Sequence, residues 1–134
     1  MSGARVRDWM HAGVETCGLE TPIERVAAVM DAKDISALIV TDAQGDVAGV
    51  ISRTDLVNAR FVQPYLKHWR GMTAEHLMTK PAITIGPDAT IEEAARVLAD
   101  RRIHRLVVVE ESSGHVRAIG VLSVTDLARR VAEE

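Results

Sequence analysis

The chain has 134 residues, of which 47% are hydrophobic and 26% are charged, and its net charge is −3. This length suits one ordinary domain or two very small ones packed together, and the composition is that of a soluble globular protein. The negative charge excludes a generally basic surface for a nucleic acid polymer, so any anion site must be local.

Cysteine content and the length of the hydrophobic runs indicate where the protein works. Cys17 is the lone cysteine and cannot form an intrachain disulfide, which fits a reducing compartment. No apolar run approaches the ~18 residues of a membrane span, and the N-terminus has no secretion signal. We therefore predict a cytoplasmic protein without a membrane partner.

The sequence contains an internal repeat. The pair Ile23-Glu24 recurs as Ile91-Glu92, and the segment GVISRTDL that starts at Gly49 recurs as GVLSVTDL from Gly120. The duplicated unit is roughly 55 residues long, a little above the usual range of structural repeats. We divide the chain into a first repeat, a linker and a second repeat at residues 1–60, 61–73 and 74–134.

Each repeat predicts the element order β-α-β-β-α. Apolar residues recur at i, i+3, i+4 and i+7 in both main helices, as Ile23, Val26, Ala27 and Met30 and then as Ile91, Ala94, Ala95 and Leu98. The predicted helices cover 22–33 and 90–101, and the predicted strands cover 14–17, 36–41, 47–51, 82–85, 104–110 and 116–122. Thr21 is the expected cap of the first helix, and Asp88 or Thr90 that of the second. A closing helix starts at Ser52 and another at Ser123.

One repeat alone is too small to bury both faces of its sheet. We therefore predict an α/β (α+β) fold in which two β-α-β-β-α repeats pack sheet to sheet with pseudo-twofold symmetry. That arrangement would create two related clefts between the repeats.

The connection between the repeats holds three of the four aromatic residues, namely Phe61, Tyr65 and Trp69. Their i, i+4, i+8 spacing would form one stripe on a helix, although Pro64 implies a break or a kink. Two interpretations are equally open: the stripe covers the edge of the core, or it contacts a second copy of the chain.

A Ser-x-x-Asp motif stands at a strand-to-helix corner in each repeat, as Ser52 and Asp55 and again as Ser123 and Asp126. One interpretation is structural, because a Ser cap with an acidic residue three positions later resembles a capping box. The other is functional, because a helix N-terminus can bind an anion and a carboxylate can accept from two ribose hydroxyls. The spacing alone favours the structural interpretation.

The second repeat adds a basic pair, His104 and Arg105, at the start of a strand. Either residue could be structural, since a His near a sheet commonly serves as a hydrogen-bonding residue and an Arg can be a solvated surface charge. In the first repeat Ser36 and Ala37 take their places, so the core does not require basic residues there. This difference favours a functional role for the pair in the second repeat.

Motifs for catalysis are lacking. No Cys/His pair has a supporting context, and no nucleophile elbow, zinc-protease or Walker-type motif occurs. The five histidines show no metal-ligand spacing with carboxylates or thiols. We therefore predict a protein that is not an enzyme, with no catalytic residue and no metal site.

With these motifs in register, the chain resembles a tandem cystathionine-β-synthase (CBS) domain pair, or Bateman module. The resemblance extends from about Val6 to Val131 and is carried by Met10, by Met78-Thr79-Lys80-Pro81, and by the two Gly-x-x-Ser-x-x-Asp corners. It implies a regulatory sensor that binds an adenosine-containing ligand in the clefts between the repeats and forms a disc-like homodimer. The implied ligands are AMP, ADP or ATP, with S-adenosylmethionine or NAD as alternatives.

The second repeat is similar to a nucleotide-binding repeat of the regulatory gamma subunit of AMP-activated protein kinase. That resemblance implies that His104 and Arg105 contact phosphate. It also implies that Ser123 lies near phosphate and that Asp126 holds the ribose hydroxyls. Thr21, from the preceding repeat, would complete the pocket. Adenine would lie against apolar strand residues.

The other cleft departs from this pattern. Ser52 and Asp55 are present, but Ser36-Ala37 replace the basic pair and Ala89 stands where a Thr is expected. We expect this second site to bind weakly, to take a less phosphorylated ligand or to stay empty. The resulting hypothesis is a non-catalytic module, without an obligatory cofactor, that signals through an unknown effector protein. The alternative is a structural dimer or interaction adaptor whose clefts are vestigial.

Overall fold

The computed structural model describes residues 3–62 and 71–134. They form two compact units: the N-terminal segment up to Val14 together with Ile83–Glu134, and the segment Glu15–Ala82. We call the unit that contains Ile83–Glu134 the second-repeat unit and the unit Glu15–Ala82 the first-repeat unit, after the repeat that supplies most of each. The predicted domain division follows sequence similarity, whereas the units follow contacts in space, and each unit includes the N-terminal end of the other repeat.

Helices and strands follow one another in the predicted order. The helices are α1 (Val6–Trp9), α2 (Ile23–Lys33), α3 (Arg53–Val57), α4 (Ala74–Leu77), α5 (Ile91–Arg101) and α6 (Val124–Ala132), and a π-helical turn covers Asn58–Val62. The strands are β1 (His11–Ala12), β2 (Thr16–Gly18), β3 (Ala37–Thr41), β4 (Val47–Ser52), β5 (Thr84–Ile85), β6 (Arg105–Ser112) and β7 (His115–Ser123). The order β-α-β-β-α is confirmed in both repeats, in a mixed α and β fold with two sheets. None of the described helices has the length and apolar content needed to cross a membrane.

The first-repeat unit contains a three-stranded sheet in the order β2-β3-β4. Strand β2 runs parallel to β3, and β3 runs antiparallel to β4. The apolar stripe of α2 is buried, as its period predicts, and it packs with side chains from the strands and from α3 and α4. The core residues are Ile23, Val26, Met30, Leu38, Val40, Ile51, Leu56 and Ala74.

The second-repeat unit contains a four-stranded sheet in the order β1-β7-β6-β5. The long hairpin of β6 and β7 turns at Ser113 and Gly114, which have φ angles of 52° and 80°. Positive φ at both positions is what a tight two-residue hairpin requires. The core residues of this unit are Val6, Ile91, Ala94, Leu98, Leu106, Val108 and Leu122.

The caps of the two main helices differ. Thr90 caps α5 as predicted, because its Oγ1 accepts a 3.0 Å hydrogen bond from the Glu93 N–H. The expectation that Thr21 caps α2 was wrong, since Pro22 occupies the N-cap position. The Thr21 Oγ1 instead accepts a 2.9 Å hydrogen bond from the Gly18 N–H. The hydroxyl oxygen therefore stabilises the turn before the helix.

The N-terminal end of each repeat joins the sheet of the other, a feature that the sequence did not predict. Strand β1 pairs antiparallel with β7, and Ala12 lies opposite Gly120. Correspondingly, Thr79 exchanges two backbone hydrogen bonds of 3.1 and 2.8 Å with Val50 in β4. Both sheets are therefore completed by a segment from outside their own sequence repeat.

This close approach explains the glycine at the start of each Gly-x-x-Ser-x-x-Asp motif. A Cβ atom at Gly120 would lie 2.7 Å from Met10 Sδ and 3.0 Å from a backbone carbonyl oxygen. A Cβ atom at Gly49 would lie 2.7 Å from the Thr79 carbonyl oxygen and 2.8 Å from Met78 Sδ. The glycines and the methionines that carry the family resemblance thus form packing contacts with each other.

Replacing Gly49 with alanine is expected to lower the free energy of unfolding by about 1–3 kcal/mol, because the added methyl group collides with a backbone carbonyl. Chemical denaturation measures this loss. Gly86→Ala is the matched control, since nothing lies within 4 Å of its Cβ position, and its effect should stay within about 0.5 kcal/mol. Equal losses in both variants would show that close approach is not the reason for glycine at position 49.

The predicted aromatic stripe is only partly covered by the structure. Tyr65 and Trp69 lie outside the described residues. Phe61 lies in the π-helical turn with 76% of its surface exposed, beside Val62 with 63% exposed. Both interpretations of the stripe therefore stay open.

Candidate functional site

Helix α6 begins at a corner where Ser123 and Asp126 form a reciprocal capping box. The Asp126 N–H donates to Ser123 Oγ at 3.1 Å, and the Ser123 N–H donates to Asp126 Oδ2 at 2.9 Å. The structural interpretation of this motif is therefore confirmed. The box also holds the Asp126 carboxylate at the helix N-terminus, where the helix dipole stabilises negative charge. We call this group of residues the second corner.

One carboxylate oxygen of Asp126 lies outside the capping box. This atom, Oδ1, forms a long ion pair with Arg129 Nη1 at 3.8 Å, beyond hydrogen-bonding distance. The Asp126 side chain also keeps 19% of its surface exposed. Asp126 can therefore accept hydrogen bonds from a bound molecule without leaving the capping box.

The start of β6 adds the basic pair to the second corner. Arg105 lies opposite Ser123 in the pairing of β6 with β7. The His104 carbonyl accepts a 2.9 Å hydrogen bond from the N–H of Val124, the first residue of α6. His104 is exposed, and Arg105 is half-buried and already engaged in a contact. Two basic residues, a hydroxyl and a carboxylate thus stand on adjacent backbone positions at one end of β6 and β7, although consecutive side chains of a strand point to opposite faces.

The first repeat builds the same corner at the start of α3. The Asp55 N–H donates to Ser52 Oγ at 3.2 Å, and the Ser52 N–H donates to Asp55 Oδ2 at 2.9 Å. The Ser36 carbonyl accepts from the Arg53 N–H at 3.0 Å, and Ala37 lies opposite Ser52. We call this the first corner, in which small neutral residues hold the positions of the basic pair.

Two contacts close the first corner and distinguish it from the second. Ser52 Oγ donates to Asp55 Oδ2 at 3.0 Å, and Arg53 Nη2 forms an ion pair with Asp34 Oδ1 at 3.0 Å. At the second corner, an apolar residue stands in place of Arg53. Among the described residues, the Ser123 hydroxyl makes no donation of this kind. Ser123 Oγ accepts within the capping box, and its O–H group is the donor that it offers to a ligand.

Thr21 belongs to the first-repeat unit, whereas the other four residues of the predicted main site belong to the second-repeat unit. Thr21 borders an open depression of about 570 Å³. The charged residues lining it were not singled out from the sequence, since they belong to no motif: Glu20, Arg25, Asp42 and Glu75. The predicted ligand-binding role of these five residues therefore stays a prediction, with four of them in one unit and Thr21 in the other.

The Cys17 thiol and the histidine and acidic side chains are the groups with potential for covalent or metal chemistry. Burial raises the pKa of the Cys17 thiol to about 11, so the thiol stays protonated at neutral pH and is a poor nucleophile. Within residues 3–62 and 71–134, no three His, Cys, Asp or Glu side chains are grouped to hold a metal ion. The chemistry that the second corner offers is reversible binding through charge and hydrogen bonds.

The duplicated architecture matches a known family. The model of the CBS domain matches the chain twice, at residues 6–61 and 74–133. The chain belongs to the CBS domain family. The two matches coincide with the two sequence repeats, so the predicted resemblance to a CBS pair is confirmed.

Solved structures share the fold of this CBS pair. The CBS domain pair of protein MJ0100, in complex with 5′-methylthioadenosine and S-adenosyl-L-methionine, superposes with a TM-score of 0.84 at 22% identity, with 97% of each chain covered. CBSX2 in complex with AMP superposes with a TM-score of 0.79 at 23% identity, with 96% of each chain covered. The two superpositions establish a shared fold, and the bound molecules are properties of those two proteins.

A similar sequence forms part of an enzyme. The inosine-5′-monophosphate dehydrogenase of Halobacterium salinarum is 27% identical over 117 residues, which cover 87% of this CBS pair. The same match covers only 22% of the dehydrogenase. The CBS pair therefore corresponds to about a fifth of the length of that relative. The name of the relative describes the activity of the whole dehydrogenase.

Proposed function

We propose that this CBS pair is a non-catalytic regulatory module that binds an adenosine nucleotide (AMP, ADP or ATP) and signals the bound state to a partner protein. The proposal is supported by the second corner, where the backbone pairing brings His104 and Arg105 beside the capping box of Ser123 and Asp126. The first corner has the same capping box without the basic pair, so the fold alone does not account for His104 and Arg105.

Each side chain of the second corner suits one part of a nucleotide. Arg105 provides charge-assisted hydrogen bonds to phosphate, and the His104 ring and the Ser123 hydroxyl can donate to further phosphate oxygens. The Oδ1 atom of Asp126 accepts from the ribose hydroxyls while Oδ2 stays in the capping box. We assign adenine to the apolar strand residues nearby. Thr21 is included on the family resemblance alone.

The comparisons support adenosine as the common part of the ligand. CBSX2 was solved with AMP, and the CBS pair of MJ0100 with two other adenosine compounds. These ligands differ in charge and share the nucleoside. S-adenosylmethionine and NAD therefore remain in the set of ligands to be tested, although the basic pair of the second corner favours a phosphate.

We propose a lower affinity for the first corner. The Ser52 hydroxyl is engaged with Asp55, and Arg53 is engaged with Asp34. Arg105 of the second corner is engaged in a contact as well, so the stronger reason is that no basic pair is present at the first corner to hold a phosphate. This corner should therefore bind weakly, take a less phosphorylated ligand or stay empty.

Thermal melts with a panel of ligands test the proposed function. A ligand at a hundred times its Kd stabilises a protein by about 2.7 kcal/mol, so the best of AMP, ADP and ATP should raise the Tm by roughly 10 °C. Sodium chloride at the same ionic strength controls for general stabilisation by salt. An unchanged Tm with every adenosine compound, including S-adenosylmethionine and NAD, would contradict the proposal.

A structural dimer or protein-interaction adaptor is the second candidate function. It is favoured by exposed apolar side chains, since Phe61 is 76%, Val62 63% and Val131 66% exposed. A dimer of this kind should melt at a temperature that rises with protein concentration, because association stabilises the folded state. Melts that respond to concentration and not to nucleotides would favour the adaptor over the sensor.

A further inference from the structure

The second corner continues into a run of basic residues between α5 and β6. Arg101 ends the helix, Arg102 follows it, and His104 and Arg105 lead into the strand. We call these four residues the basic junction. Consecutive Cα atoms are 3.8 Å apart, so the junction spans at most about 15 Å. Because Arg105 lies opposite Ser123, the junction adjoins the second corner.

The two arginines before the pair are available to a ligand. Their side chains are exposed, and within the described parts of the chain neither forms an ion pair with an acidic side chain. Arg101 has a structural role, because a cation in the last turn stabilises a helix C-terminus. Arg102 has left-handed backbone angles, φ 55° and ψ 44°, which cost a non-glycine residue about 1–2 kcal/mol. Local structure therefore favours a cation at this C-cap position but does not require an arginine there.

The equivalent segment of the first repeat has its charges paired. Lys33 Nζ lies 3.1 Å from Glu15 Oε1. Asp34 has the same left-handed conformation as Arg102 and lies 3.0 Å from Arg53 Nη2. The two repeats thus share a left-handed backbone conformation at this position and differ in its charge. The first repeat has an ion-paired aspartate there, so the fold does not require the exposed arginine of the second repeat.

We propose that the basic junction is a subsite for the outer phosphates of a nucleoside diphosphate or triphosphate. This inference rests on the proposed function and narrows the ligand class of the same site. His104 and Arg105 hold the phosphate nearest the ribose, and Arg101 and Arg102 hold the following ones, because guanidinium groups bind phosphate through paired hydrogen bonds. ADP and ATP then bind more tightly than AMP. S-adenosylmethionine, which carries a positive sulfonium in place of phosphate, binds least.

Calorimetric titrations with adenosine, AMP, ADP and ATP in magnesium-free buffer test the subsite. We expect ADP and ATP to bind at least about fivefold more tightly than AMP, and the difference should shrink as salt screens the exposed charges. Arg102→Asn suits the left-handed backbone and should weaken ADP and ATP binding about threefold to fivefold. The same variant should change AMP binding less than about twofold.

Arg96→Gln is the matched control for Arg102→Asn. It removes the same charge from α5 six residues earlier, about 9 Å along the helix, and should leave the ratio of ADP to AMP affinity unchanged. An equal fall of that ratio in both variants would overturn the subsite. Binding of adenosine and AMP with no gain from further phosphates would also overturn it while leaving the proposed function intact. Absence of binding by every compound would overturn both.

Discussion

Replacing Asp126 with alanine is expected to lower the affinity for AMP, ADP or ATP by roughly ten- to hundredfold. The Asp126 carboxylate is assigned to the ribose hydroxyls, and hydrogen bonds to a charged group contribute about 1.5–3 kcal/mol. That free energy corresponds to this range of affinity. The capping box positions the carboxylate before the ligand arrives, so little binding energy is needed to order it. Calorimetry on the folded variant measures the change.

Asp55→Ala is the matched control for Asp126→Ala. It removes the same capping-box carboxylate from the other repeat, so each variant should lose about 0.5–2 kcal/mol of stability with its cap, and Asp55→Ala also loses the hydrogen bond from the Ser52 hydroxyl. Only Asp126→Ala should lose most of the affinity. Parent-like binding by Asp126→Ala would place the ligand elsewhere, and equal losses in the two variants would remove the proposed difference between the corners.

Replacing Leu122 with alanine is expected to lower the free energy of unfolding by about 2–5 kcal/mol. Leu122 is fully buried and lies opposite Leu106 in the pairing of β7 with β6. It belongs to the same core cluster as Val6 and Leu98. Removing its side chain leaves a cavity that neighbouring strands and helices fill only in part. This loss would be a large share of the free energy of unfolding of a typical domain, which is roughly 5–15 kcal/mol.

Val131→Ala provides the control for Leu122→Ala. Val131 lies in α6 with 66% of its surface exposed, and its truncation should change stability by less than about 0.5 kcal/mol. Both variants are measured by denaturant unfolding under the same conditions. A loss of less than about 1 kcal/mol for Leu122→Ala would mean that this core is not packed as the structure indicates.

The main elements of the fold were predictable because hydrophobic periodicity reports burial directly. The stripe that starts at Ile23 became the buried face of α2, and the Ser-x-x-Asp motifs marked the N-caps of α3 and α6. The pairing of β1 with β7 was not predictable in the same way. Strand β1 has only two residues, His11 and Ala12, and its partner strand lies near the other end of the chain. A pattern so short carries no period.

The candidate site was predictable where the two repeats could be compared. His104 and Arg105 stood out because Ser36 and Ala37 occupy the same positions in the first repeat. The exposure of Arg102 in a left-handed conformation could not be read from the sequence, because backbone angles at a helix end depend on how the chain continues. The ion pair that closes the first corner joins residues far apart in sequence, so no local motif revealed it.

A calorimetric titration of nucleotide-free protein with ADP shows whether the second corner binds an adenosine nucleotide. We expect one dominant binding site per chain that is lost in Asp126→Ala and retained in Asp55→Ala. Absence of binding at ADP concentrations up to about 1 mM would contradict this expectation. A Kd of about 1 mM corresponds to only about 4 kcal/mol of binding free energy. Two sites of equal affinity in each chain would contradict this expectation as well.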